Sequence, residues 1–218
     1  MKPLARLFAL ALASSLTGLA ACRDSEEANG GTPASTTSKP DQKSPAAGEP
    51  AGRPAADPQR AQKAREVAMA FGKALLGELT AAIEAQGPVA AIAVCNERAP
   101  GLAAAAATSE FRVRRIGTRV RNRATNTPTE SERAILTKME SMEPDTLRSA
   151  ALEESPNGVP AVYVPILVAS PMCLMCHGDQ ATLAADVRAK LASLYPDDEA
   201  TDYAVGDLRG AFVVEPAR

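Results

Sequence analysis

The chain has 218 residues, with 24 basic and 26 acidic side chains, a formal net charge of −2, four cysteines, one histidine and 3% aromatic residues. This composition lacks the basic surface and the stacking rings that nucleic-acid binding requires, so we expect no nucleic-acid partner. The sequence shows no paired carboxylates and no second metal motif, and we expect a protein that is not an enzyme.

Residues 1–21 have the features of a bacterial lipoprotein signal peptide. Two basic residues precede an apolar run at residues 7–13, which is too short to span a bilayer. The segment ends in Leu19-Ala20-Ala21-Cys22, which resembles a lipobox, and in lipoproteins the cysteine becomes the acylated N-terminus. We therefore expect Cys22 to anchor an exported protein to a membrane, facing the periplasm. Arg23 stands where an aspartate would favour the inner membrane, so the outer membrane is preferred; the alternative is an ordinary signal peptide.

Residues 22–57 consist mainly of Gly, Pro, Ser, Thr, Ala and charged residues without an apolar period. Such a segment cannot bury enough apolar surface to offset the entropy of ordering it, and a disordered tether is predicted. Residues 58–218 then form a single domain.

Two long helices are predicted at the start of this domain. Asp57-Pro58 provides an N-cap and a first-turn proline, and the helical spacing continues to Gly87-Pro88. A second helix is expected from Val89 to about Thr108, with a kink at Pro100. One arc of this helix, about 80° wide, is apolar and points toward the core; it contains Ile92, Cys95, Ala99 and Leu102.

The remaining elements alternate between strands and helices. In chain order we expect a strand at 111–114, a loop at 117–128, a helix at 130–142 opened by a Thr129/Glu132 capping box, a strand at 159–168, a cysteine-containing loop, a helix at 183–194 and a closing strand at 210–214. Pro160 and Pro165 indicate that the strand at 159–168 lies at an edge of the sheet or contains a bulge. Helices followed by strands with helices between them predict an α+β domain built on an antiparallel sheet.

The loop before residue 180 contains Cys173-Leu174-Met175-Cys176-His177, the CxxCH signature of c-type haem attachment. The two thiols would bond one haem covalently, and the adjacent His177 would be held beneath the iron as an axial ligand. Three alternatives were considered. A zinc site needs about four ligands, and adjacent Cys176 and His177 strain joint chelation of one ion; a thioredoxin-like redox pair requires a βαβ context, and a simple disulfide is also open.

Cys95 is the one cysteine without an assignment, because Cys22 is assigned to lipid and the other two to haem. No second histidine exists to bind the far side of the iron. The sixth ligand is therefore Cys95, a methionine, water or nothing, and Cys95 could instead be a small buried apolar residue. The methionine candidates are Met69, Met139, Met142, Met172 and Met175, of which the last two lie beside the tether and would struggle to reach the distal face.

Arginines are concentrated just ahead of the haem segment, and haem propionates need cationic or amide partners when they are partly buried. The alternative to propionate binding is that these arginines lie on a solvated strand face and loop. The six arginines of this stretch are Arg112, Arg114, Arg115, Arg119, Arg121 and Arg123.

Five motifs in order give residues 60–215 a resemblance to a family of exported c-type haem proteins with a PAS-like fold. They are Val94-Cys95-Asn96 with Ala99-Pro100; Arg121-Asn122 with Asn126, Pro128 and Glu132; residues 171–178; Tyr195-Pro196-Asp197-Asp198; and residues 206–211. The resemblance implies a PAS-like antiparallel sheet flanked by helices, His177 as proximal ligand and Cys95 as sixth ligand. Arg121 and Asn122, which lie in a family motif, become the preferred cofactor-binding candidates. Arg123 stands where the family usually has proline.

The residues and the resemblance together predict a membrane-tethered haem c protein that senses redox state or a diatomic gas. The alternative is a periplasmic electron-transfer cytochrome. An exchangeable sixth ligand favours the sensor, whereas the lack of an attached output domain in the sequence favours the carrier or a separate subunit. Either function implies a redox or signalling protein as partner.

Overall fold

A four-stranded antiparallel sheet with helices on both faces forms the domain. The computed structural model describes residues 57–217, so the predicted signal peptide, Cys22 and the tether up to residue 56 lie outside the described residues. The helices are α1 (Pro58–Gln86), α2 (Pro88–Ala93), α3 (Ala99–Ala106), α4 (Arg123–Asn126), α5 (Glu130–Glu140), α6 (Pro144–Ser149), α7 (Leu174–His177) and α8 (Ala185–Leu194). The strands are β1 (Phe111–Gly117), β2 (Leu152–Glu154), β3 (Ala161–Leu167) and β4 (Leu208–Pro216). In the described part of the chain, no helix combines the length and the apolar character needed to cross a membrane.

Helix α1 begins and ends where the sequence predicts. The Asp57 carboxylate accepts hydrogen bonds from the backbone N–H groups of Gln59 (3.0 Å) and Arg60 (3.3 Å), which satisfies two donors of the first turn. The helix ends before Gly87, whose φ of 82° is in the region that favours glycine. Local chemistry at each end therefore sets the length of the helix.

The predicted second helix is interrupted earlier than expected. A π-helical turn, Val94–Arg98, separates α2 from α3, and the backbone N–H of Ala99 bonds to the carbonyl of Val94. The kink predicted at Pro100 thus lies one turn earlier, because the proline has no N–H and its ring displaces the carbonyl four residues before it. Cys95 lies in this widened turn and is half-buried rather than fully buried.

The sheet order is β1-β4-β3-β2, with every neighbouring pair antiparallel. β1 extends three residues beyond its prediction, and the predicted loop at 117–128 contains the short helix α4; α6 and β2 were not predicted either. Pro165 of β3 lies beyond the end of the three-residue β2, so its missing N–H breaks no ladder bond on that side. The predicted α+β class, with an antiparallel sheet flanked by helices, is confirmed.

Each face of the sheet has its own core. On the first face, α1 and α3 cover Phe111, Val113 and Phe212, and the rings of Phe71 and Phe212 meet edge to face at 5.4 Å. On the second face, α5 and α6 cover Tyr163 and neighbouring strand residues. The Thr129/Glu132 capping box at the start of α5 is confirmed. The CxxCH segment and the turn that holds Cys95 lie at the end of the first face.

Candidate functional site

The CxxCH segment folds into two short helical turns between β3 and α8. A 3-10 turn, Pro171–Cys173, leads directly into α7. Cys176 packs against the apolar cluster shared by α2 and α8, whereas Cys173 packs against Val168, Ala200 and Tyr203. The three cysteines in the described range are free thiols, and in that range no three His, Cys, Asp or Glu side chains are grouped to hold a metal ion.

His177 is held in one orientation by a backbone carbonyl. Its Nδ1 lies 2.7 Å from the carbonyl oxygen of Ala200, so the N–H on Nδ1 donates and the lone pair of Nε2 is left for another partner. Burial and the nearby guanidinium groups of Arg209 and Arg121 hold the pKa of His177 well below its ordinary value. The imidazole is therefore neutral, which is the form that binds a metal.

The segment Asp198–Tyr203 runs alongside the CxxCH segment and braces it. The backbone N–H of Tyr203 donates to the His177 carbonyl (3.0 Å), and that of Asp202 donates to the Gly178 carbonyl (2.9 Å). The Tyr203 ring meets the His177 ring edge to face, with 6.1 Å between the centroids. Asp202 has a φ of 60°, which aspartate tolerates better than most residues. Backbone and side chain thus fix His177 from the same side.

Arg121 ties the bracing segment to the CxxCH segment. Its buried guanidinium donates to a carboxylate oxygen of Asp198 (2.9 Å) and to the carbonyls of Cys176 (2.5 Å) and Ala200 (3.1 Å). Ala200 is also the acceptor for His177, so Arg121 stabilises the group that orients the imidazole. Asn122 is the N-cap residue of α4, without a side-chain capping bond. The prediction that Arg121 and Asn122 contact a cofactor stays a prediction.

Cys95 lies in the electrostatic environment of the same site. Burial raises the pKa of Cys176, the Arg121 guanidinium lowers it, and a negative charge at Cys95 would raise it further. Burial and the charge of Cys95 also raise the pKa of the Tyr195 phenol. Helix α2, directly before the π turn, contacts α7. The π turn that holds Cys95 thus directly follows a helix that contacts the CxxCH segment, and ligation by Cys95 stays a prediction.

The methionine candidates lie in less suitable places. Met69 is 53% exposed on α1, and Met175 is 39% exposed within the tether itself. Met139 and Met142 pack in the second core, on the other face of the sheet from the π turn. Of these candidates and Cys95, Cys95 is the one in the π turn that directly follows α2, the helix that contacts α7.

Two further arginines act on His177: Arg115, one of the six arginines predicted as candidate propionate partners, and Arg209, which lies in the motif at residues 206–211. Arg115 lies on the first face of the sheet, with its guanidinium 5.8 Å from the centre of the Phe71 ring. The Nε atom of Arg209 is buried without a hydrogen-bond partner. Burial lowers the pKa of both side chains, as it does for a cation that lacks a counter-charge. The strand alternation of β1 gave a signal for Arg115, since residues 111, 113 and 115 share a face.

A separate cavity of about 420 Å³ opens on the other side of Tyr203. Four of its twelve lining residues belong to the second core: Met142, Leu147, Leu167 and Leu208. It includes neither Cys95 nor any residue of the CxxCH segment. Its volume is therefore no guide to the chemistry of His177.

The sheet, the long N-terminal helices and the braced CxxCH segment define an α+β binding domain organised around one histidine. The chain belongs to the Tll0287-like family, whose model matches residues 48–216. A crystal structure described as the cyanobacterial heme-protein Tll0287 is similar over 75% of this chain and 98% of that chain, with a TM-score of 0.54 and 23% identity. That likeness shows the fold. A comparison with curated proteins finds no match. Membership of the Tll0287-like family is thus shown, while haem binding, the lipoprotein signal and the ligation by His177 and Cys95 stay predictions.

Proposed function

We propose that this chain is a c-type haem protein, with one haem bonded through Cys173 and Cys176 and held at the iron by His177. The carrying observation is the 2.7 Å contact between Nδ1 of His177 and the Ala200 carbonyl. It leaves Nε2 of a neutral imidazole as the ligating atom, and an oriented second-shell acceptor of this kind is typical of metal-bound histidine. The description of the structural neighbour as a heme-protein supports the same cofactor.

Cys95 is the proposed ligand on the opposite side of the iron. Its position in the π turn supports this role, because such turns are rare and occur often at functional sites. When bound, haem with a thiolate ligand supplies a redox centre of low potential, since the negative sulfur stabilises the ferric state. Uptake of a proton by the Cys95 sulfur on reduction would release it and open a coordination position.

The proposed role is that of a redox or diatomic-gas sensing module without enzymatic activity. The contrast between the two ligand sites supports it: His177 is braced by two backbone hydrogen bonds on its segment and one on its ring, whereas Cys95 lies in an irregular turn. The second candidate is a periplasmic electron-transfer cytochrome, which the rigid bracing of His177 favours. Both roles require a redox or signalling protein as partner. Cys22 would tether the domain to the membrane, with the outer membrane preferred.

The cofactor is tested by expressing the full chain in a bacterium that carries the haem-attachment machinery. We expect a coloured protein with a mass increment of roughly 616 Da for one haem and a c-type absorption spectrum after reduction. The Cys173→Ala/Cys176→Ala variant should lose the covalent increment. A colourless wild-type protein of unmodified mass would overturn the proposal.

The sixth ligand and the role are tested on the same holoprotein. Cys95→Ser should shift the ferric Soret and charge-transfer bands, whereas Met139→Leu, across the sheet, should leave them in place. Carbon monoxide should bind the ferrous wild-type protein if Cys95 is released on reduction. Failure of carbon monoxide to bind would favour the electron carrier, and an unchanged Cys95→Ser spectrum would exclude the thiolate ligand.

The anchor is tested by fractionation. Wild-type protein should sediment with the membrane fraction and carry a lipidated N-terminal peptide by mass spectrometry, and Cys22→Ala should lose both properties. Recovery of unlipidated wild-type protein in the soluble periplasmic fraction would contradict the anchor.

A further inference from the structure

The surroundings of His177 contain more positive than negative charge. Arg121 donates to the Cys176 carbonyl, and the Arg209 guanidinium lies 5.4 Å from the centre of the Tyr203 ring, which itself meets the His177 ring edge to face. Arg115 lies on the first face of the sheet, 5.8 Å from the centre of the Phe71 ring. Asp198 is the carboxylate that pairs with one of them, Arg121, at 2.9 Å. Among the described residues, no carboxylate forms an ion pair with Arg115 or Arg209.

Arg209 reaches this site because of a bulge in β4. Ile166 pairs with Gly210 and Leu167 pairs with Leu208, so Arg209 is skipped in the ladder. Gly210 has a φ of 155°, and a Cβ there would lie 2.0 Å from a backbone oxygen of β1. A Cβ on Gly117 would come within 2.9 Å of an Arg209 guanidinium nitrogen. A bulge re-aims a side chain, and these two glycines leave room for the redirected arginine.

Only part of the Arg209 side chain is satisfied by the protein. One terminal nitrogen donates to the Arg119 carbonyl at 2.9 Å, and the guanidinium lies 5.4 Å from the centre of the Tyr203 ring. The Nε atom is buried without an acceptor. A buried N–H group without a partner is costly, and native proteins supply one or bind a ligand that does.

Within the described residues Arg115 also lacks an ion pair, but for a different reason. Its own strand places it on the first face of the sheet, where its guanidinium lies 5.8 Å from the centre of the Phe71 ring. Arg112 and Arg114, on the opposite face of the same strand, both pair with Glu215. The one arginine of the three that lacks a carboxylate is thus the one that faces the site.

We propose that Arg115 and Arg209 each bind one carboxylate of a dianionic ligand, the two propionate groups of the haem, and that they select for it by charge. This inference rests on the proposed function. Two carboxylates balance the two uncompensated guanidinium charges, and an arginine fork suits a carboxylate in a bidentate arrangement. Arg121, which is already bonded to Asp198 and two carbonyls, has a structural role in this scheme.

The test uses the holoprotein and the variants Arg115→Met and Arg209→Met, with Arg112→Met as the matched control from the same strand. Resonance Raman spectra report the propionate bending bands, and redox titration reports the midpoint potential. Each site variant should shift a propionate band and lower the midpoint potential, because a cation near the redox centre is removed. A unit charge roughly 12 Å from a redox centre, at an effective dielectric constant of about 20, changes the ratio of ferric to ferrous protein about tenfold. The control should change neither readout.

Lysine variants separate charge from geometry. Arg115→Lys and Arg209→Lys should restore most of the potential while leaving the propionate band shifted, since lysine retains the charge but not the fork. These variants also provide the test if a methionine variant fails to fold. Propionate bands that match the wild type in both the methionine and lysine variants would overturn the inference.

The outcomes distinguish this inference from the proposed function. A wild-type protein without haem would remove the proposed function itself. A haem-loaded protein whose propionate bands ignore both arginines would leave that function standing and overturn the inference alone. A change at Arg115 that appears in the sulfur-to-iron bands but not in the propionate bands would mean that Arg115 serves the Cys95 thiolate, and would overturn its assignment here.

Discussion

Replacing Arg121 with methionine should destabilise the domain far more than the loss of a surface ion pair does. The Arg121 and Asp198 side chains are only 9% and 10% exposed, and Arg121 also serves the carbonyls of Cys176 and Ala200. Removing one partner of a buried ion pair costs about 3–5 kcal/mol, because the other charge is left without its counter-charge. A backbone N–H donates to the second Asp198 oxygen at 2.8 Å, so we expect the lower end, about 3 kcal/mol.

Arg123→Met is the matched control. Arg123 pairs with Glu199 at 2.7 Å, but the two side chains are 49% and 56% exposed, and an exposed pair contributes about 0.5 kcal/mol or less. Urea denaturation of the two variants, with the midpoint and the slope fitted for each, measures the difference in the free energy of unfolding. Asp198→Asn in the Arg121→Met background should recover part of the loss, since it removes the unpaired charge. An Arg121→Met protein no less stable than Arg123→Met would refute the reasoning.

Three further outcomes follow from the fold. Gly210→Ala should lower the free energy of unfolding by at least about 2 kcal/mol, because the added Cβ strains the backbone and clashes with β1. Gly77→Ala, whose added Cβ meets no atom within 4 Å, should raise it by about 0.5–1 kcal/mol, and thermal denaturation of both variants checks the contrast. Phe71→Ala should lower the free energy of unfolding by about 3–5 kcal/mol, because Phe71 is buried in the first core. Leu76→Ala, on the exposed side of the same helix, should change it by no more than about 0.5 kcal/mol in urea titrations, and equal losses in the two variants would contradict the core assignment. Burial raises the pKa of Glu132, but hydrogen bonds to the carboxylate outweigh burial and hold that pKa below its ordinary value of 4.5. The ionised Glu132 side chain therefore stabilises the folded state above pH 4.5, and this stabilisation is lost as the pH falls through the depressed pKa. The stability difference between wild type and Glu132→Gln should therefore shrink on acidification, and a constant difference from pH 6 to about pH 3 would exclude this linkage.

Features encoded within a few residues were predictable from the sequence. The N-cap at Asp57, the stop at Gly87 and the Thr129/Glu132 capping box each depend on hydrogen bonds between near neighbours. The contiguous CxxCH signature was legible for the same reason. Helix α6 and the three-residue β2 were missed, because β2 exists through pairing with β3 and carries little periodicity of its own.

The supports of the site could not be predicted in the same way. The acceptor for His177 is the backbone carbonyl of Ala200, and a carbonyl leaves no trace in residue identity. Arg209 reaches the site through a bulge that depends on pairing with a distant strand. The motif that contains Arg121 was visible, but its three hydrogen bonds join segments that are 55 to 79 residues apart. Non-local geometry therefore decides which cation is paired and which is not.

The position of β4 has a consequence for biogenesis. The last strand of the chain, nine residues at 208–216, is paired on both sides, so β1 and β3 have no common neighbour until it is present. Closure of the sheet must wait until residues 208–216 have been made, since the pairings that close it span about a hundred residues in the case of β1. Until then the segment with Cys173 and Cys176 lacks its folded surroundings, and under the proposed function we expect haem attachment to be easiest at that stage. A variant without residues 208–216 should therefore still accept the proposed haem attachment at Cys173 and Cys176 but should not fold around the attached haem.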